Sequence, residues 1–134
     1  MGLYLCIFSD GDGRKEIAGW QLGHYSDFAW FRDAVSRHLR ATDFPLLMEH
    51  SYCDGEWSVA ELPNLVIELE TIEAKFRALP PEEPQGAFEH AAEYREGARS
   101  LYECLHNVDG ENLFEALIAL AHEGIRVERP ISFQ

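Results

Sequence analysis

The segment from Phe44 to Leu79 constrains the fold most, because an apolar run, an acidic turn and a long amphipathic helix follow one another there without a linker. The run from Phe44 to His50 has the length of a strand. Pro45 restricts that strand to an edge or to a first strand position, since proline has no N–H to donate. The following Cys53-Asp54-Gly55-Glu56 favours a turn, because Asp and Gly tolerate positive φ.

A helix is predicted directly after this turn. Ser58 and Glu61 have the spacing of a capping box, in which the serine hydroxyl accepts from the N3 amide and the glutamate reaches back to the cap N–H. The helix should therefore begin at about Val59. Because proline is favoured in a first turn and not later, we expect a bend or a restart at Pro63.

The remainder of this helix is defined by an apolar stripe at helical spacing. Glu70 and Glu73 lie off the stripe and Glu68 lies on its border, so all three carboxylates are expected to be solvated. Pro80-Pro81 should end the helix. The stripe consists of Leu65, Leu69, Ile72, Phe76 and Leu79.

The flanking segments complete an α+β pattern. Leu3–Phe8 is apolar throughout, which is typical of a central strand covered on both faces. The order of elements predicts one α+β domain over residues 1–134, with a small, mostly antiparallel sheet of about four strands packed with roughly three to four helices. The strands at Phe44 and Ile131 would flank the Leu3 strand. The other predicted elements are an antiparallel strand from Glu16 to Leu22, a helix capped by Ser26, a helix from Phe88 to Leu105, a helix from Glu111 to Glu123 ended by Gly124, and a strand from Ile131 to Phe133.

No segment of the sequence suggests a membrane anchor. No apolar run approaches the ~20 residues of a membrane span. The short Leu3–Phe8 run lacks the basic lead-in and the cleavage site of a signal peptide. We therefore expect a soluble, cytoplasmic protein.

The formal net charge of -13 is unevenly distributed. Glu49–Glu123 carries 17 acidic and 4 basic residues, and the remainder carries 7 of each. Nucleic acid and anionic membranes are therefore poor partners, since phosphate binding needs clustered Lys and Arg. A basic protein would instead be attracted by this field, unless the charge serves solubility alone.

The cysteines and histidines do not form a recognisable catalytic or metal motif. Cys6, Cys53 and Cys104 are odd in number and far apart, which indicates reduced thiols. His50-x-x-Cys53 with Cys104-x-His106 could supply zinc ligands, but neither half has a typical zinc spacing. Cys53 beside His50 has the residue types of a nucleophile and base, without a nucleophile elbow or phosphate loop around them.

A calcium loop after the first strand is also disfavoured. Asp10-x-Asp12-Gly13 resembles the start of one, but Lys15 stands where the loop needs glycine. A hairpin turn is the simpler interpretation. We expect no catalytic residue, no metal and no cofactor in this chain.

Trp57 is the most interesting aromatic residue, because it follows Asp54 and Glu56 in the predicted turn. Tryptophan supplies a large contact area with few rotatable bonds, so Trp57 could anchor an interface. The alternative is that Trp57 folds inward and plugs the start of the helix.

Four strings give the chain a resemblance to a known family. They are Gly2-Leu3-Tyr4-Leu5-Cys6-Ile7-Phe8, Cys53-Asp54-Gly55-Glu56-Trp57-Ser58, Val108-Asp109-Gly110-Glu111-Asn112-Leu113-Phe114 and Pro130-Ile131-Ser132-Phe133-Gln134. With them the chain resembles immunity-protein family 70, bacterial immunity proteins of polymorphic toxin systems. The resemblance runs over essentially the whole chain and implies a small cytoplasmic antitoxin that neutralises a toxin domain of the same or a kin cell.

The resemblance and the charge together suggest an interface. Many such toxins are nucleases with basic clefts, which an acidic protein can occupy as a phosphate mimic. The alternative function is a small-molecule or peptide binding module with an aromatic pocket between sheet and helices. The toxin's identity, the mode of inhibition and the oligomeric state stay open. The residues expected to bind the partner are Asp54, Glu56, Trp57, Glu61, Glu68 and Glu73.

Overall fold

The computed structural model describes residues 2–9, 15–51, 54–82, 97–107 and 109–134. Its strands are β1 (Gly2–Phe8), β2 (Glu16–His24), β3 (Glu56–Trp57) and β4 (Ile131–Phe133). Its α-helices are α1 (Tyr25–His38), α2 (Pro45–Met48), α3 (Leu62–Arg77) and α4 (Leu113–Val127). Two 3-10 helices, Ala41–Asp43 and Leu101–Cys104, lie between them.

The four strands form one antiparallel sheet in the order β2-β1-β4-β3. Directly paired residues point to the same face of a sheet. The pairing of Leu5 with Trp20 and with Phe133 therefore places these three side chains together on one face, where all are buried. The α+β fold class with a small antiparallel sheet is confirmed.

The helices pack on this face through phenylalanine rings. Phe31 of α1, Phe76 of α3 and Phe114 of α4 are each 0% exposed. Their ring centroids lie 5.7 to 6.2 Å apart with interplanar angles of 71° to 84°. Such edge-to-face contacts add about 0.5–1.5 kcal/mol each beyond the area they bury. The core is thus closed by one ring from each long helix.

The opposite face of the sheet, here called the open face, is built by the alternate residues of the same strands. Cys6 is buried there, yet it lies outside the core cluster that holds Leu3, Leu5 and Ile7. The open face consists of Tyr4, Cys6 and Phe8 of β1, Glu16, Gly19 and Gln21 of β2, Ser132 of β4 and Glu56 of β3.

Among the described residues, no helix has the length and apolarity needed to cross a membrane.

The predicted strand from Phe44 to His50 is wrong. Pro45–Met48 forms the short helix α2, in which the Met48 N–H donates to the Phe44 carbonyl at 2.9 Å. A short apolar run does not distinguish strand from helix, and proline suits a first helical position. β1 is flanked by β2 and β4, so the Phe44 segment does not lie beside it as predicted. The fourth strand is β3 (Glu56–Trp57), which comes from the predicted turn.

The helix after the turn is confirmed with a later start. It begins at Leu62 and places Pro63 in its first turn. Half of the predicted capping box forms, since the Ser58 N–H donates to Glu61 Oε1 at 2.9 Å. The apolar stripe is buried from Leu65 to Phe76, and Leu79 packs against the core after the helix ends.

The remaining helices differ from expectation at their ends. Asp27 accepts from the His24 N–H at 2.6 Å, so His24 and not Ser26 precedes α1 as its cap. Gly124 lies inside α4, which Asn112 caps by accepting from two backbone N–H groups. Of the predicted helix from Phe88 to Leu105, residues 88–96 lie outside the described residues. Its last part forms a 3-10 helix.

Candidate partner-binding site

Asp54 and Glu56 are exposed at the outer edge of the sheet, in a segment that we call the acidic turn (Asp54–Trp57). Gly55 between them has φ 83°, a conformation that costs other residues about 1–2 kcal/mol. The Gly55 carbonyl accepts from the Phe133 N–H at 3.0 Å. The turn is therefore fixed to β4 while both carboxylates point away from the core.

Aromatic side chains support the acidic turn from behind. Trp57 is 1% exposed, and its ring meets that of Phe133 edge-on at 4.7 Å. His50 stacks on Phe133 at 4.0 Å and lies 5.3 Å from the Trp57 ring, and its Nε2 is 3.1 Å from the Glu56 carbonyl oxygen. Trp57 has thus folded inward, as the alternative interpretation held. It is not a surface anchor in this structure.

Glu68 is 7% exposed, so the expectation that it is solvated is wrong. Its two carboxylate oxygens accept from the N–H groups of Leu46 and Leu47, each at 3.2 Å. Burial raises the pKa of Glu68, the two backbone hydrogen bonds lower it, and the nearby Glu49 carboxylate raises it. The net shift is upward. Because α2 packs over the border of the α3 stripe, a carboxylate there meets free helix N-terminal donors.

Leu46 connects Glu68 with Trp57. Its N–H donates to Glu68, and its carbonyl accepts from Trp57 Nε1 at 2.9 Å. Glu68 therefore positions α2, and α2 positions the indole under the acidic turn. The sequence could not show this link, because it requires that residues 45–48 be helical.

Glu61 and Glu73 have internal partners. Glu61 accepts from the backbone N–H and the hydroxyl of Ser58, at 2.9 and 3.0 Å. Glu73 pairs with Arg77 at 3.0 Å. The two glutamates are twelve positions apart, about 18 Å along the axis of α3. The structure thus places Asp54 and Glu56 together and leaves Glu73 apart from them.

Nothing in the described part of the chain is arranged for metal binding. No group of three or more His, Cys, Asp or Glu side chains there could hold an ion. Cys6 and Cys104 are buried, and burial raises the pKa of Cys6 to about 11, which leaves it protonated at neutral pH. Cys53 lies outside the described residues, as do Asp10 and Asp12 of the predicted hairpin turn.

Comparison with known families decides the class of this protein. The family model described as Immunity protein 70 matches residues 3–133. The chain belongs to the immunity protein 70 family. No match was found among curated proteins or among solved structures. Membership supports the role of an immunity protein and favours a non-enzymatic inhibitor over an enzyme.

This immunity protein also has an open pocket of about 380 Å³ between the 3-10 helix Leu101–Cys104 and the start of α4. Tyr102 donates to Glu115 at 3.1 Å, and burial with this hydrogen bond raises the pKa of Tyr102 to about 12. Glu103 pairs with Arg99 at 3.0 Å. No motif in the sequence predicts this pocket. The pocket forms between the 3-10 helix and the turn before α4, two segments that no helical repeat in the sequence relates to each other.

Proposed function

We propose that this immunity protein neutralises a cognate toxin domain of a polymorphic toxin system by direct, stoichiometric binding. The family match over residues 3–133 carries the proposal. An inhibitor of this kind needs a preformed surface and no catalytic group. It would act in the cytoplasm, where a toxin delivered into the cell meets its target.

The acidic turn is the proposed centre of contact. Asp54 and Glu56 are exposed, and no ion pair joins either carboxylate to another residue of the described chain. Because Phe133 and Trp57 hold the turn in place, little conformational entropy of this segment is lost when a partner binds. A toxin with a basic cleft, such as a nuclease, would find two carboxylates in a rigid frame.

The other residues of the predicted interface have different parts in this proposal. Trp57 and Glu68 are positioning residues, since both are buried and act through Leu46. Glu61 lies near the turn and would exchange its Ser58 partner for a basic side chain of the toxin. Glu73 stays paired with Arg77 and lies outside the proposed contact.

Co-expression with the toxin domain encoded by the neighbouring upstream gene tests the function. We expect cell survival and a 1:1 complex on co-purification. Cell death without a complex, with both proteins well expressed, would contradict the proposed pairing.

Charge reversal tests the proposed centre of contact. Glu56→Arg should weaken the complex by about tenfold or more, because close charge pairs at interfaces couple strongly. The matched control is Glu70→Arg, an equal charge change at an exposed position of α3. Equal affinities of the two variants would remove Glu56 from the interface.

A ligand-binding module is the second candidate function, and the open pocket beside Tyr102 is the observation that favours it. A ligand at a hundred times its Kd would stabilise the fold by about 2.7 kcal/mol. A thermal-shift screen of metabolites and peptides checks this candidate. An unchanged Tm throughout the screen, with a shift on adding the toxin, would leave the immunity role alone.

A further inference from the structure

The acidic turn is too small to hold a partner by itself. A stable protein interface buries about 800 Å² on each side and involves roughly 20–30 residues. The turn offers two exposed carboxylates on one short segment. If the proposed function holds, the toxin must therefore cover a surface continuous with the turn.

The strand register shows which surface continues from Glu56. Glu56 pairs with Ser132, Ser132 pairs with Cys6, and Cys6 pairs with Gly19. These residues form one row across all strands of the sheet, and paired residues share a face. The Glu56 side chain therefore belongs to the open face.

The open face combines aromatic, amide and acidic groups. The Tyr4 ring lies over Gly19, since a Cβ atom added there would meet the Tyr4 hydroxyl. Tyr4 also hydrogen-bonds Glu16, so its ring is held in place. Phe8 and Ser132 are half-buried on the same face, so part of each side chain is accessible. This surface offers apolar contact flanked by carboxylates.

Charge distinguishes the open face from the outer surface of the helices. Glu16 and Glu56 stand on the two outermost strands, and no Lys or Arg lies within the described strands. On the helices, by contrast, Arg37, Arg77 and Arg126 each pair with a neighbouring carboxylate. Lys15 precedes Glu16, and Arg129 Nε donates to the Phe8 carbonyl at 3.0 Å, so the cations near this face lie beside the strands and not within them. The strands themselves offer carboxylates alone, which favours a basic partner there.

We infer that the toxin docks with a basic surface on the acidic turn and on the open face of the sheet that continues from it, from Glu56 to Glu16. The inference rests on the proposed function and specifies where the partner binds. The aromatic groups supply buried area, and the carboxylates at both edges set the orientation.

Cations introduced into the open face test the inference. Ser132→Lys places a charge in the middle of the row, and Gln134→Lys places one beside Tyr4, with which Gln134 exchanges backbone hydrogen bonds at 2.8 and 3.3 Å. Gln134 is exposed, so its variant is expected to fold even if Ser132→Lys does not. The matched control is Ala74→Lys, exposed on α3. Circular dichroism and Tm establish that each variant is folded.

We expect both open-face variants to weaken toxin binding by about tenfold or more and the control to change it by about twofold or less. If the wild-type chain does not bind the toxin, the proposed function itself fails. If the wild-type chain binds and both open-face variants bind equally well, the docking inference is overturned and the function stands. A dimer of the free chain that Ser132→Lys dissociates would assign the face to a second copy and also overturn the inference.

Discussion

Glu68 carries its carboxylate into the interior, where it accepts the N–H groups of Leu46 and Leu47. This single residue connects the longest described helix to the support of the acidic turn. A residue that looks like part of a solvated helix surface in the sequence thus determines the position of a neighbouring element. Its buried state also makes it a source of pH dependence.

We predict that Glu68→Gln lowers the free energy of unfolding at pH 7 by about 1–3 kcal/mol. An amide has one acceptor oxygen, so one of the two N–H groups of α2 loses its partner in the interior. Urea unfolding measures the change. The control is Glu70→Gln, an exposed site on the same helix, which should stay within about 0.5 kcal/mol of the wild-type protein.

The same variant should change the pH profile of stability. The pKa of Glu68 is raised in the folded chain, so between its ordinary value of 4.5 and the raised value the folded state holds a proton that the unfolded state has released. This contribution favours folding at the acid end and is lost as pH rises through the folded pKa. Glu68→Gln should lack it, and superimposable profiles of unfolding free energy in the two proteins would contradict this assignment.

At the scale of elements, the long helix α3 was predictable from the sequence and the short helix α2 was not. The stripe from Leu65 to Phe76 predicted α3 because four apolar positions at helical spacing fit one face of a helix and no strand. The run Phe44–His50 is too short for a period to appear, so its helix depends on tertiary contacts with Glu68 and Trp57. The turn at Asp54-Gly55 was therefore predictable, whereas the packing that supports it was not.

The end of α4 shows a similar local ambiguity and carries a prediction. Glu128 has φ 56° just after the helix, whereas a Cβ on Gly124 would lie 2.9 Å from the Arg129 carbonyl and 2.6 Å from Leu62. We expect Glu128→Gly to stabilise the fold by about 1 kcal/mol, by relieving the left-handed conformation. Gly124→Ala should destabilise it by about 1–3 kcal/mol, by overpacking.

Thermal unfolding of these two variants measures both effects. We expect Glu128→Gly to raise the Tm and Gly124→Ala to lower it, although both positions lie at the same end of α4. A stabilising Gly124→Ala would mean that the Arg129 backbone can move away, contrary to the close packing described.

For the whole molecule, the net charge of -13 governs how fast a basic partner arrives. Between about 0.01 and 1 M salt the screening length falls from about 30 to about 3 Å. We predict that the association rate with the toxin falls steeply over this range while the dissociation rate changes little. Stopped-flow measurements give both rates, and Glu56→Arg should flatten the salt dependence more than Glu70→Arg does. A salt-independent association rate would show that the acidity serves solubility.

The position of β4 between β1 and β3 has a consequence for timing. Leu5 pairs with Phe133 and Trp57 pairs with Ile131, so the frame of the acidic turn is completed only when segments from opposite ends of the described chain have met. Contacts so distant in sequence form late, because a long loop must close first. A newly made copy would therefore give no protection until its whole sheet has assembled, and the delay between synthesis and safety would be set by the folding rate of this protein.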